Sequence, residues 1–248
     1  MNKSSDNLNE KEIDDLKYFA QILGNIKLDG NSSKSSQIYA LLRQAIIWAK
    51  LQPGSPINEK ALAKSLGVSR TPVREAIISL CNEDLIDIFP HSGIFVTNVS
   101  RGMFVEGAII RKQLEIAGVR HAAQHATVTQ IEDLYTLHYK AERLAKREAW
   151  NEYVAVDDAL HHEISKISGF KKLWRMIREA KAHVDRLRHL AAPIPGHLGN
   201  VQEQHLKVIE AIELGDPDKA EAAMVAHLDY SHEMMKELIE EKFSTIDD

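Results

Sequence analysis

Four residues in the second half of this 248-residue chain have the types and spacing of a metal site. Tyr153, Asp157, Leu160, His161, Ile164 and Ser168 recur at helical intervals and share one stripe. Asp157 and His161, four residues apart, therefore converge on one interior, while Asp158 and His162 point elsewhere. His205 falls among Val201, Val208, Ile209 and Ile212, and His227 falls with Ala220, Ala223 and Met224. A buried carboxylate without a positive partner is costly. Three imidazoles and a carboxylate in one helical core suit a divalent cation, which satisfies all four together. Taken singly, each histidine also reads as an ordinary core residue with a local partner.

A second constellation carries the opposite chemistry. Gly67-Val68-Ser69-Arg70-Thr71-Pro72-Val73-Arg74-Glu75-Ala76 reads as a tight turn opening a helix with basic and hydroxyl groups. Gly67 permits a left-handed turn, Ser69 can cap the helix, and Pro72 falls in the first turn, where a missing N–H costs nothing. With Val73, Ile77 and Leu80 turned inward, Arg70, Thr71 and Arg74 surround an outward-facing N-terminus. Two guanidinium forks and a hydroxyl there suit the edges of bases in a DNA major groove.

The elements that position these groups follow from the pattern. Gln37–Lys50 is expected as a helix, followed by a Pro53-Gly54-Ser55-Pro56 turn, a helix over Glu59–Leu66, and the basic helix ending near Asn82. Leu85–Phe89 and Ile94–Thr97 alternate as short strands around a turn at Pro90–Gly93, whose tip, His91 to Gly93, can reach a minor groove or phosphates. Helix-turn-helix plus hairpin is a winged helix. From Ser100 onward the helical period takes over, with helices expected at 101–126, 129–147, 149–168, 170–190, 200–214 and 217–242. The fold class is therefore mainly α: a winged helix-turn-helix over residues 34–99, then an antiparallel bundle of six helices over 100–248. Residues 1–33 form an extension in which Leu16, Phe19, Leu23 and Ile26 give a weak helical stripe, joined by a Gly/Ser-rich linker at 30–36. A frayed tail and a helix docked on a partner both fit it.

Composition sets the surroundings. A hydrophobic content of 44% supports real cores. No apolar run approaches the ~18 residues of a membrane span. The first thirty residues are polar and acidic, unlike a secretory signal. The single cysteine, Cys81, reads as a small core residue unable to form an intramolecular disulfide, which fits a reducing cytoplasm. The net charge of −5 is unevenly placed: residues 34–100 carry seven Lys/Arg against five Asp/Glu, whereas residues 101–248 carry twenty against twenty-five. So small a basic excess points to a homodimer that doubles the phosphate contacts. Eleven of the twelve histidines follow residue 100, in the part that would hold the metal.

Residues 36–97 resemble the N-terminal domain of the GntR family of bacterial transcription regulators. The resemblance rests on Ile57-Asn58-Glu59-Lys60-Ala61-Leu62-Ala63, the Gly67–Ala76 stretch, Leu85-Ile86 and Gly93-Ile94-Phe95-Val96. It implies that Arg70 and Arg74 read guanines, that Thr71 contacts backbone or base, that Lys60 assists, and that the His91-Ser92-Gly93 tip approaches the minor groove. Residues 104–235 resemble the FCD ligand-binding domain of the family's FadR branch, through Arg111-Lys112-Gln113-Leu114-Glu115, Asp157–His161, Ser168-Gly169, His205–Ile212, Gly215-Asp216 and His227-Leu228. That resemblance implies a divalent metal (zinc, nickel or manganese) on Asp157, His161, His205 and His227, beside which a small carboxylate-containing effector binds.

Leu160 and Gln204 depart from the usual residues before the first two histidines, and six helices suggest the shorter, VanR-like version of the domain. Arg111 is the implied anchor of the effector carboxylate, a surface Arg111–Glu115 pair being the alternative. Arg188, or Arg186, is a second candidate that a solvated helix face explains equally well. The function so implied is a cytoplasmic, homodimeric repressor of a palindromic DNA operator, released by its effector. The competing reading is a metal-dependent hydrolase with a DNA-binding appendage. It lacks its signatures: Lys166 and Lys236 stand where a zincin needs histidine, and no phosphate loop or nucleophile elbow is present.

Overall fold

The computed structural model describes residues 10–24, 28–30, 32–191, 194 and 196–242. Two compact units meet between Asn98 and Val99.

The first unit contains α1 (Glu10–Leu23), α2 (Lys34–Ile47), α3 (Glu59–Ser65), α4 (Arg70–Cys81), β1 (Ile86–Phe89) and β2 (Gly93–Val96). Ser33 caps α2 by accepting from the Ser36 N–H, so the helix starts inside the segment read as linker. Asn58 caps α3 through the N–H groups of Lys60 and Ala61. Gly67, at φ 65°, makes the turn into α4. Leu62, Val73, Ile77 and Leu80 are fully buried, as are Ile38, Leu42 and Ile46 of α2, on which α4 packs. Cys81 is half-buried rather than part of this core.

β1 and β2 pair antiparallel from Ile86↔Val96 to Phe89↔Gly93. The 54–57 segment flanks β2 as well: Gly54 N–H donates to Val96 O, and Ile57 N–H to Ile94 O. Over its described part the extension is helical and packed on its own domain. The α1 helix packs on α2 and α3, buries Phe19 and Leu23, and receives a 2.7 Å hydrogen bond from Asn58 on Asp15. Ile26 lies outside the described residues.

The second unit is all helical: α5 (Arg101–His125), α6 (Val128–Ala145), α7 (Trp150–Ile167), α8 (Leu173–Ala180), α9 (Ala182–Ala191), α10 (His197–Glu213) and α11 (Pro217–Lys242). A Thr127/Gln130 capping box opens α6. Left-handed Gly169 and Gly215 end α7 and α10. The single helix expected over 170–190 is two, so the bundle has seven helices among the described residues, removing the count of six on which the VanR-like version rested. The break falls at one residue. Lys181 leaves the helical path (φ −84°, ψ 3°) and its ammonium is buried, donating to Asp158 at 2.9 Å and Asp185 at 2.5 Å.

Gly107 lets α5 approach this break, since a Cβ there would stand 2.3 Å from Ala180 O. The main core joins Val119, Leu134, Leu160, Ile164, Val208, Ile209, Ile212 and Met224, from five of the helices.

Candidate metal centre and nucleic-acid interface

In the helical unit, the apolar stripes of α7, α10 and α11 bring Asp157, His161, His205 and His227 inside. One ring nitrogen from each of the three histidines lies within 4.8 Å of the other two. His205 Nε2 is 3.3 Å from His227 Nε2 and 3.6 Å from Asp157 Oδ1, and His161 Nε2 is 3.9 Å from Asp157 Oδ2. Separations of 3.3–3.6 Å are those of donors sharing one ion at about 2 Å.

Burial keeps two of the rings neutral. It pulls His205 down to about 3, with His161 and Arg188 pushing the same way and Asp157 opposing, and it holds His227 well below the usual imidazole range. Neutral imidazoles present lone pairs, the form that ligates a metal.

The neighbours decide which atom of His161 faces the site. His161 Nδ1 donates to Glu115 Oε2 at 2.6 Å, and Arg111 Nη2 points at His161 Nε2 from 3.4 Å. Burial would raise the Glu115 carboxyl, but His161 and Arg111 outweigh it and keep Glu115 ionised, hence an acceptor only. This carboxylate–histidine arrangement orients a metal ligand and raises its basicity. His227 Nδ1 is buried with no hydrogen-bond partner. The three imidazole nitrogens therefore form a donor set that fits a divalent cation, with Asp157 Oδ1 beside His205.

Asp157 is shared. Arg188 Nη2 donates to its Oδ2, while Arg188 Nη1 donates to Asp158 at 2.8 Å and to Asp185 at 3.1 Å. Burial alone would raise Asp157; Arg188, then His205 and His161, hold it below the usual carboxylate range. Arg188 is thus no solvated-face residue. Arg111 is no surface residue either, since its 2.8 Å pair with Glu115 is buried. Both arginines line one cavity of about 20 Å³, with Tyr153, Asp157, His197 and His227. Arg186 does not line it.

Sequence reasoning missed Glu115 as a partner of His161, and it missed the buried network of Lys181, Asp158, Asp185 and Arg188. The signal available was the adjacency of Asp157 and Asp158: a second acid beside a buried one calls for cations nearby.

In the first unit, Lys60, Ser69, Thr71, Arg74, His91 and Gly93 are all exposed, and Arg70 keeps 65% of its side chain in solvent. Ser69 has the extended backbone of an N-cap but makes no side-chain capping bond. Its hydroxyl is therefore not committed to the helix. Arg70 Nη2 donates to Glu59 Oε2 at 2.6 Å, a contact the sequence pattern did not suggest. At the wing, His91 sits in the left-handed region (φ 66°) opposite Gly93 at φ 128°, and Ile88 and Phe89 leave half their surface exposed.

A winged helix-turn-helix whose recognition helix opens with exposed arginines, on a chain that continues as an all-helical domain with a buried polar centre, defines a DNA-binding transcription regulator. Residues 34–96 match the model for bacterial regulatory proteins of the gntR family, and residues 108–230 match the FCD domain. The chain is 31% identical over 215 residues to the HTH-type transcriptional repressor RspR of Escherichia coli (strain K12), covering 87% of this chain and 94% of that protein. A probable D-xylose utilization operon transcriptional repressor of Paenarthrobacter nicotinovorans is 27% identical, covering 78% of this chain and 85% of that one. The solved structure of E. coli McbR/YncC shares the fold with a TM-score of 0.75 at 22% identity, covering 84% and 99% of the two chains. The chain belongs to the GntR family of bacterial transcription regulators and carries an FCD domain. Its relatives are regulators, not enzymes, which removes the hydrolase reading. Among the described residues, no helix is long and apolar enough to cross a membrane.

Proposed function

We propose that this regulator is a homodimeric repressor whose operator affinity is set by a small carboxylate effector bound beside a divalent metal. One observation carries the reading: three buried histidines bring ring nitrogens within 4.8 Å of one another, and Asp157 and His227 line a cavity with Arg111 and Arg188. His161, His205, His227 and Asp157 would hold the ion, zinc suiting this donor set best and nickel or manganese being alternatives. When bound, it supplies positive charge at the cavity wall.

Arg111 and Arg188 do the rest. Arg111 is held by Glu115 with its Nη2 turned to the centre, ready to donate to a carboxylate. A cavity of about 20 Å³ holds little more than one water, so an acid enters only if a side chain moves. Arg188 can exchange its bond to Asp157 for one to the effector and still keep its bonds to Asp158 and Asp185. No charge is then left unpaired, which keeps the exchange inexpensive.

At the other end, Arg70 and Arg74 would read bases, Ser69, Thr71 and Lys60 would contact backbone, and the His91–Gly93 tip would track the minor groove of a palindromic operator. Release requires the effector to bind the DNA-competent and DNA-incompetent states with different affinity. The names of RspR and the xylose-operon relative support repression as the sign.

Elemental analysis of the purified protein, followed by a thermal-shift screen of sugar, hydroxy, amino and aromatic acids, tests this. About one metal per chain and a stabilising acid that weakens operator binding are expected. Absence of metal after reconstitution with zinc, nickel or manganese would defeat the reading.

A further inference from the structure

The metal chamber is not the largest opening in the helical unit. An open cleft of about 760 Å³ lies between the second half of α6, the start of α7 and the first half of α10. That volume is in the range of small-molecule sites, about 300–1,000 Å³, whereas the chamber beside the histidines measures about 20 Å³. We propose that this cleft is a second ligand site, selective for an organic amine with an aromatic or other apolar body.

The lining argues for that chemistry. Tyr139 and Trp150 offer aromatic surface, whose negative faces attract cations. Glu142, Glu148 and Glu203 stand against one cation, Lys146, which is already bonded to Glu142 at 2.8 Å. The cleft is thus negative overall, the reverse of the chamber lined by Arg111 and Arg188. A carboxylate that suits one is repelled by the other.

Two lining residues also hold polar atoms without a hydrogen-bond partner, His138 Nδ1 and Gln202 Oε1, but both atoms are shut off from solvent, so recognition falls to the exposed groups. An ammonium only donates. Carboxylates on an aromatic floor fit a donor-only cation.

The two openings share a wall. Gln202 Nε2 donates to Tyr153 Oη at 3.0 Å, Tyr153 lines the metal chamber, and Leu198 lines both. The inference does not depend on the metal reading, and its test separates them.

Isothermal titration calorimetry of the full-length protein with phenethylamine is the experiment, with phenylacetate as the anionic counterpart. One amine per chain is expected, with the same affinity before and after treatment with a chelator. Exposed Glu203→Lys and Tyr139→Ala, checked for unchanged helical circular dichroism, should each weaken phenethylamine at least about tenfold. No heat at millimolar amine, equal affinity for phenylacetate, or full affinity in both variants would overturn the proposal. So would loss of amine binding on chelation, which would assign the amine to the metal chamber. A cleft occupied by a second copy of the chain would show as no amine binding together with a lower sedimentation mass for Glu203→Lys, and this too would overturn it.

Discussion

The arginines of the two units live under opposite rules. Arg70 and Arg74, at the start of α4, lie in water, and Arg70 makes one exposed bond to Glu59. Arg111 and Arg188, in the bundle, are buried and carry between them bonds to Glu115, Asp157, Asp158 and Asp185, with Arg111 also facing His161. A solvated guanidinium costs little to redirect, because water replaces whatever it leaves. A buried one can only change partners, since leaving any charge alone is expensive. The first arrangement suits scanning a polyanion. The second suits a site that answers to one small anion.

The sharpest way to break this contrast is Arg188→Ala. It leaves Asp157, Asp158 and Asp185 short of a cation, so a loss of about 3–5 kcal/mol in denaturant unfolding is expected. A loss under about 1 kcal/mol would mean that the bundle charges are as well solvated as those of α4. His205→Ala should empty the proposed metal site, read by elemental analysis, while operator binding by the winged helix survives; full metal occupancy would remove His205 from the ligand set. Arg74→Ala should cost about 1–3 kcal/mol of specific operator binding and relax base preference. An equal loss on every sequence would make Arg74 a phosphate contact only. Smallest of all, Glu59→Gln frees an exposed Arg70 from a carboxylate that is itself mostly covered, and should change folding stability by no more than about 1 kcal/mol. A larger loss would show that Arg70 is locked in the manner of Arg188.

Much of this was legible because helical periodicity is local. The Tyr153–Ser168 stripe placed Asp157 and His161 on one face, and each of its members is buried. His205 and His227 were legible in the same way, by the apolar company they keep. The winged unit was legible from turn chemistry: Gly67, Pro72 and the Pro90–Gly93 tip each answer a backbone demand. Illegible was anything that crosses between elements. Lys181 looked like one more cation in a continuous helix, yet it is buried and bonded to Asp158, and this accompanies the break between α8 and α9. The pairing of Glu59 with Arg70, eleven residues apart across the turn, depends on how α3 meets α4.

By itself, then, the chain specified which faces turn inward and which side chains ride on them, because a 3.6-residue repeat is a property of a dozen neighbours. What only the folded packing decided was the partners. Glu115 meets His161 across 46 positions and Arg188 meets Asp157 across 31, distances over which no local pattern carries information. Those contacts hold Glu115 and Asp157 ionised, because in a low-dielectric interior each charge takes its state from whatever stands next to it.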